Sequence, residues 1–262
     1  MNETVDVTVL AAALEAAERD GVQIAPLIAS VAFDARTAYA IQRETARRRI
    51  ARGDARVGMK VGLTSEPMQR MLGVDEPDFG HLFASMRVED GASFPIAELL
   101  QPRVEAEIAI VLKSELRGPG VTDADVLAAC DYVAPALEII DSRIRDWKIS
   151  LSDTIADNGS SARFVIGAAR VAPAGIDLPA IAMTFTKNGE TIGTGLGSAV
   201  LGSGPLRAVA WLANTLADTG LVLAAGDVVL PGALSAAVPA AAGDTFRATF
   251  TAGLGDTTVS FV

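Results

Sequence analysis

The stretch Pro102–Leu112, PRVEAEIAIVL, sets two glutamates inside an apolar strand pattern, and no other segment limits the possible folds as much. Side chains alternate across an extended strand, so Val104, Ala106, Ile108, Ile110 and Leu112 share one face while Glu105, Glu107, Ala109 and Val111 share the other. The first face belongs in a core. The second aims two carboxylates the same way from a largely apolar strand. At 4 Å and an effective dielectric near 20, two like charges repel by about 4 kcal/mol before any desolvation cost. A positive group is expected beside them.

A chain of 262 residues, half of them apolar, can bury a substantial core, as one large domain or as a main domain with a smaller appendage. The net charge of −10 and a pI of 4.6 argue against an electrostatic grip on nucleic acid or an anionic membrane surface, so the expected partner is a small molecule. Mean hydropathy is positive at +0.35, but Gly, Pro and charged residues interrupt every apolar run before the ~18 residues a spanning helix needs. The start, MNETVDV, is acidic and lacks the pattern of a signal peptide. Cys130 is the single cysteine, which excludes an internal disulfide and a cysteine-based zinc site and fits a cytoplasmic location.

Residues 1–55 read as an N-terminal helical region and 56–262 as a strand-rich body. ETVDVTVLAAALEAAERDG stops at Gly21, and DARTAYAIQRETARRRIARG, capped by Asp34, stops at Gly53. VGMKVGLTS then has the texture of a strand entering a loop, and EPMQRMLG that of a short helix begun by Pro67. Thr122 and Asp125 resemble a capping box that opens a helix over DADVLAACDYV. Asn188-Gly189, inside AMTFTKNGETIGTG, marks a hairpin. Leu206, Val209, Ala210, Ala213, Leu216 and Ala217 recur at helical spacing between Pro205 and Gly220. DVVLPG, TFRATFTAG and TTVSFV read as further short strands. Strict βαβ alternation is absent, so the expected fold class is α+β.

Glu138, between Leu137 and Ile139 in APALEIID, is a third acid in an apolar segment. Three such acids admit two readings. They form one cation site, whose all-oxygen ligands favour Mg²⁺ or Mn²⁺ over zinc and leave positions open for substrate and water. Alternatively they pair with Arg103, Arg143 or Arg145. Lys60, flanked by Met59 and Val61, is either an amine whose pKa burial lowers for proton transfer or an ordinary edge-strand lysine. Asp78, in DEPDFGHLF, is a general acid or base held in a loop, or simply a turn residue. In DTIADNGSSARF, Asp157, Asn158, Ser160 and Ser161 could hydrogen-bond a small carboxylate or form an Asx-type turn. No GxSxG elbow exists, GTGLGSAVLGSG reads as a loop, and His81, the sole histidine, is expected at the surface or in a loop.

The segments KVGLTS, LGVDEPDFGHL, QPRVEAEIAIVL, PALEIIDSRIRDWKI and ADNGSS, in this order and over nearly the whole chain, resemble the hydratase and decarboxylase branch of the fumarylacetoacetate hydrolase superfamily. The resemblance implies a mixed β-sandwich or roll body of the fumarylacetoacetate hydrolase C-terminal type with an N-terminal helical region. It implies a divalent metal, Mg²⁺ or Mn²⁺, on Glu105, Glu107 and Glu138, with Lys60 and Asp78 moving protons. It also implies that backbone around Leu72 and the Ser160 hydroxyl place the carboxylate end of a small 2-oxo or 2-hydroxydienoic acid. DSRIRDWKI, AVAWLANTL and GPGVTDADVLAA are similar to the hydratases, which act on 2-hydroxypenta-2,4-dienoate in meta-cleavage degradation of aromatic compounds. Decarboxylation of 4-oxalocrotonate is the alternative, and a non-catalytic subunit that stabilises a partner enzyme is the alternative of another class. Homo-oligomers are expected, as is association with the next enzyme of the pathway. Two departures bear on substrate placement: Gly159 stands where relatives commonly have alanine, and Pro231 where they often have Thr or Ser.

Overall fold

The helix ends are set by side chains that satisfy the first free backbone N–H groups. Asp6 accepts from Thr8 and Val9 to open α1 (Val7–Asp20), and Gly21 closes it at φ +67°. Asp34 caps α2 (Ala35–Ala51) through the N–H of Thr37. Pro67 lies in the first turn of α3 (Glu66–Leu72). Thr122 and Asp125 form the reciprocal capping box of α4 (Asp123–Ala129), and Ser150 and Asp153 do the same for α5 (Leu151–Ala156). Helix α6 (Pro205–Thr215) begins on its proline. The computed structural model describes residues 5–262, the side chains of Met71 and Leu72 excepted. No helix among the described residues is long and apolar enough to cross a membrane.

The strands are β1 (Arg56–Gly62), β2 (Asp78–Phe83), β3 (Arg87–Val88), β4 (Ser93–Phe94), β5 (Arg103–Leu112), β6 (Cys130–Ile140), β7 (Ser161–Ile166), β8 (Ala182–Lys187), β9 (Glu190–Leu196), β10 (Val228–Leu230), β11 (Val238–Pro239), β12 (Thr245–Phe250) and β13 (Gly255–Phe261). They form two sheets. The larger runs β2-β1-β10-β5-β6-β7-β3, with β11 also paired to β5, and the smaller runs β4-β13-β12-β8-β9. The β8–β9 hairpin turns on Asn188 and Gly189, both at positive φ.

Alternation in β5 divides the molecule. Val104, Ala106, Ile108, Ile110 and Leu112 are all buried against the smaller sheet and α6, where Phe185, Phe246, Phe261, Val209 and Leu212 complete the main core. On the opposite face Ala109 joins Leu82, Phe83, Ala136, Phe164 and Leu230 in a second apolar cluster. The N-terminal helices pack on α5 through Leu10, Leu14 and Ile41 against Ile155 and Ala156.

Several elements differ from the sequence expectation. Helix α4 stops at Ala129, because Cys130–Val133 pair with the end of β5 and tertiary pairing overrides the helical pattern. Asp78 and His81 lie in β2, not in a loop or at the surface; both faces of that strand are buried, so its sequence shows no alternation. Lys60 is on an interior strand between β2 and β10, not an edge. The glycine-rich stretch expected as a loop supplies the end of β9 and a 3₁₀ turn at Gly197–Gly202.

Candidate metal centre

Antiparallel pairing of β5 with β6 sets Glu105 directly opposite Glu138, and Glu107 follows two residues along on the same face. One carboxylate oxygen from each of the three lies within 4.8 Å of the others. Glu107 and Glu138 are buried and Glu105 is partly so. Oε1 of Glu107 and both carboxylate oxygens of Glu138 have no hydrogen-bond partner. Oε2 of Glu107 is held by the backbone N–H of Gly232 at 2.8 Å. Gly232 has φ +125°, and a Cβ there would collide with Oγ1 of Thr64, so this donor requires glycine.

Arginine does not neutralise the trio. Arg103 stacks over the Trp147 ring at 4.7 Å, Arg143 pairs with Asp157, and Arg145 donates to the carbonyl of Gln23. The nearby cation is Lys60, whose Nζ stands 3.7 Å from Oε2 of Glu138. Burial raises all three glutamates above the usual carboxylate range, Glu105 to about 7 with the Glu138 charge adding to the effect, and Glu107 well above its ordinary value. Left to themselves the three acids cannot all ionise. Convergent, buried, all-oxygen donors with free lone pairs fit a hard divalent cation.

Lys60 corrects one expectation. Burial alone would lower its pKa, but the charges of Glu138, Asp78, Glu105 and Glu107 outweigh that and raise it, so the amine is a held ammonium. Asp78 sits opposite Gly62 across the β1–β2 pair. The space above Gly62 is taken by both groups: a Cβ there would collide with Oδ1 of Asp78 and lie 3.0 Å from Nζ of Lys60. Burial raises the Asp78 pKa and Lys60 counters it, while Oδ2 accepts from the Thr154 hydroxyl at 3.5 Å.

Behind Lys60 runs the turn Asn158-Gly159-Ser160, three consecutive left-handed residues at φ 58°, 58° and 56°. Gly159 faces Lys60, whose Cε and Nζ would be 3.1 and 3.3 Å from an added Cβ. Of the four polar residues marked here in the sequence, two are engaged elsewhere. Asp157 binds Arg143, and the Asn158 amide binds the main chain of His81. Ser160 and Ser161 are buried with hydroxyls that have no partner. Leu72 is the last residue of α3, and its side chain lies outside the described residues. The structure thus brings together Glu105, Glu107, Glu138, Lys60 and Asp78, with Ser160 adjoining. Sequence reading missed Gly232 and Gly62, since a backbone N–H and a missing side chain leave no chemical mark.

Comparison with known proteins identifies the family of the chain. Residues 49–262 match the fumarylacetoacetate (FAA) hydrolase C-terminal family. The chain is 56% identical over 211 residues, 80% of each protein, to the 2-hydroxyhexa-2,4-dienoate hydratase of Comamonas testosteroni. It is 47% identical over 262 residues, 100% of this chain and 99% of the other, to the 2-keto-4-pentenoate hydratase of Burkholderia vietnamiensis. In three dimensions it matches 4-oxalocrotonate decarboxylase from Pseudomonas putida, complexed with magnesium and adipate, at a TM-score of 0.95 and 39% identity over 100% of both chains.

Proposed function

The chain belongs to the fumarylacetoacetate hydrolase C-terminal family, and from that premise we propose that it is a divalent-metal-dependent hydro-lyase. It hydrates 2-hydroxypenta-2,4-dienoate to 4-hydroxy-2-oxopentanoate in the meta-cleavage degradation of aromatic compounds. The observation that carries the reading is the cluster of Glu105, partly buried, with the buried Glu107 and Glu138, whose unpartnered carboxylate oxygens lie beside a charged lysine. Mg²⁺ and Mn²⁺ are the proposed ions; the decarboxylase relative was solved with magnesium and also with calcium.

Glu105, Glu107 and Glu138 would hold the divalent cation, which when bound would supply Lewis-acid stabilisation of the enolate-like charge of a 2-oxo acid. The protein's own groups move the protons. Ketonisation transfers the enol proton to C5 and leaves a conjugated enone; water then adds its oxygen at C4 and a proton at C3. Lys60 and Asp78, converging over Gly62, are the proton carriers in this proposal. The free hydroxyl of Ser160 and the backbone around Leu72 position the substrate carboxylate. The working division is a helical region over 1–55 and a catalytic body over 56–262. Homo-oligomeric assembly, a cytoplasmic location and association with the next pathway enzyme belong to the same proposal.

The relatives support hydration over decarboxylation: those 56% and 47% identical to this chain are named as hydratases, whereas the decarboxylase structure is 39% identical. The test is a substrate panel. With Mg²⁺ or Mn²⁺ the protein bleaches the ultraviolet absorbance of the dienol without releasing CO₂, and a Glu105→Ala, Glu107→Ala variant does not. Release of CO₂ from 4-oxalocrotonate would instead assign the decarboxylase. Silence with every acid, together with a co-purifying enzyme, would assign the non-catalytic subunit.

A further inference from the structure

Strand β2 forms one end of the larger sheet, so one of its edges has no strand partner. At His81 that edge is nonetheless satisfied. The His81 N–H donates to Oδ1 of Asn158 at 2.7 Å, and Nδ2 of Asn158 donates to the His81 carbonyl at 2.9 Å. One side-chain amide reproduces the paired bonds of an adjacent strand. Two residues earlier, Nε2 of Gln42 donates to the Phe79 carbonyl at 2.8 Å and continues the same edge.

The Asn158 backbone does a second thing. Its left-handed conformation starts the turn whose next residue, Gly159, lies against the Lys60 amine. Gly80 permits the close approach, because a Cβ there would collide with the Asn158 carbonyl oxygen. Consecutive left-handed residues persist only where their surroundings fix them. Here the far side of the turn is fixed by Arg143, which binds Asp157 and donates to the Ser161 carbonyl at 3.2 Å, and by Asp141, whose N–H donates to the Ser160 carbonyl at 2.8 Å. The near side is fixed by the Asn158 amide alone among these contacts. Asn158 therefore joins the strand that carries Asp78 to the turn that backs Lys60.

We propose that Asn158 is a positioning residue for the Lys60–Asp78 pair, its amide standing in for a missing strand on β2 and thereby setting the distance between the two proton carriers. The inference rests on the hydratase reading for its kinetic consequence, but its structural consequence is measurable without turnover.

The test uses Asn158→Gly, which keeps the left-handed backbone and removes both bonds, and Asn158→Asp, which keeps the acceptor for the His81 N–H and loses the donor. Selective ¹⁵N labelling of lysine reports on Lys60 as one of only four lysine amines. Expected in Asn158→Gly are faster hydrogen exchange at the His81 amide and a displaced Lys60 amine resonance, with Mn²⁺ affinity unchanged because the acids stand on β5 and β6. Misplacement on the scale of an ångström costs about 100-fold in rate, so kcat is expected to fall roughly 10- to 100-fold while KM moves less than about threefold. Asn158→Asp is expected to fall between the two proteins on exchange and on kcat. The proposal is overturned if the Lys60 resonance stays in place, if kcat stays within about twofold, or if Mn²⁺ affinity and kcat fall together. Absence of turnover in the unsubstituted protein would sink the hydratase reading while the exchange and lysine measurements still decide the clamp.

Discussion

At the scale of single residues, the centre is a set of charges that the protein does not balance by itself. Glu105 faces Glu138 across a strand pair, Glu107 stands one step along, and Lys60 offers one positive charge to all of them. Burial, together with the neighbouring Glu138 and Glu105 charges, raises the Glu107 pKa well above its ordinary value, so in the cation-free protein burial favours the neutral form. Glutamine copies a protonated glutamate in shape. Glu107→Gln is therefore expected to leave the melting temperature of the chelator-treated protein nearly unchanged while weakening Mn²⁺ binding by about 100-fold or more, since even the outer partners of metal ligands are worth about 10- to 100-fold. Calorimetric titration and thermal melts with and without Mn²⁺ check this, and a large melting shift in the cation-free variant would show that Glu107 is charged there. These acids, and Lys60, could be singled out in the sequence because a charge inside an apolar strand needs a partner, although the pattern alone left open whether that partner was a cation site or an arginine, and whether Lys60 lay on an edge. Gly232 and Asn158 were not, because what they contribute is a backbone donor and a pair of bonds to another backbone.

Elements show the same division between what a pattern reveals and what only pairing creates. The helices α2, α3, α4 and α6 announced their starts through Asp34, Pro67, the Thr122 and Asp125 box, and Pro205, while α1 announced only its end, through Gly21. The β8–β9 hairpin announced itself through Asn188-Gly189. Strand β2 did not, being buried on both faces, and the start of β6 was hidden under a helical pattern. The link between the N-terminal helices and β2 was equally invisible. Gln42, buried on α2, donates from one nitrogen to the carbonyls of Phe79 and Ile155, each at 2.8 Å, and so ties α2 to β2 and α5. Replacing it by leucine removes the donor from two carbonyls at a buried junction. Gln42→Leu is expected to cost about 2 kcal/mol in urea unfolding, the usual range for a buried polar group left unsatisfied being roughly 1–3 kcal/mol. It is also expected to speed hydrogen exchange in β2 ahead of the main core, and equal acceleration in β5 and β12 would refute the local role.

For the molecule as a whole, His81 is a buried source of acid sensitivity. The sequence offered a lone histidine next to a glycine and suggested a loop, whereas the ring is buried on β2, 6.1 Å from Phe83, with neither nitrogen hydrogen-bonded. Burial lowers its pKa to about 4, and the charges of Arg56 and Arg43 add to the effect. In the unfolded chain the ordinary value near 6.5 returns. Between these values the unfolded state binds the extra proton, so the stability His81 allows is complete above about pH 6.5 and is lost progressively as pH falls towards 4. At pH 5 the loss amounts to about 2 kcal/mol by linkage. Asp157, raised to about 6 chiefly by burial, titrates in the opposite sense, since its folded form holds a proton that the unfolded form releases. The net slope of the native protein therefore understates the histidine contribution, and a difference measurement removes the Asp157 part. His81→Leu, which fills a similar volume without a titrating nitrogen, is expected to be nearly as stable as the native protein at pH 7.5 and about 2 kcal/mol better preserved at pH 5. Parallel stability curves for the two proteins from pH 7.5 to 5 would mean that the ring finds a proton-accepting partner in solution and that acid lability arises elsewhere.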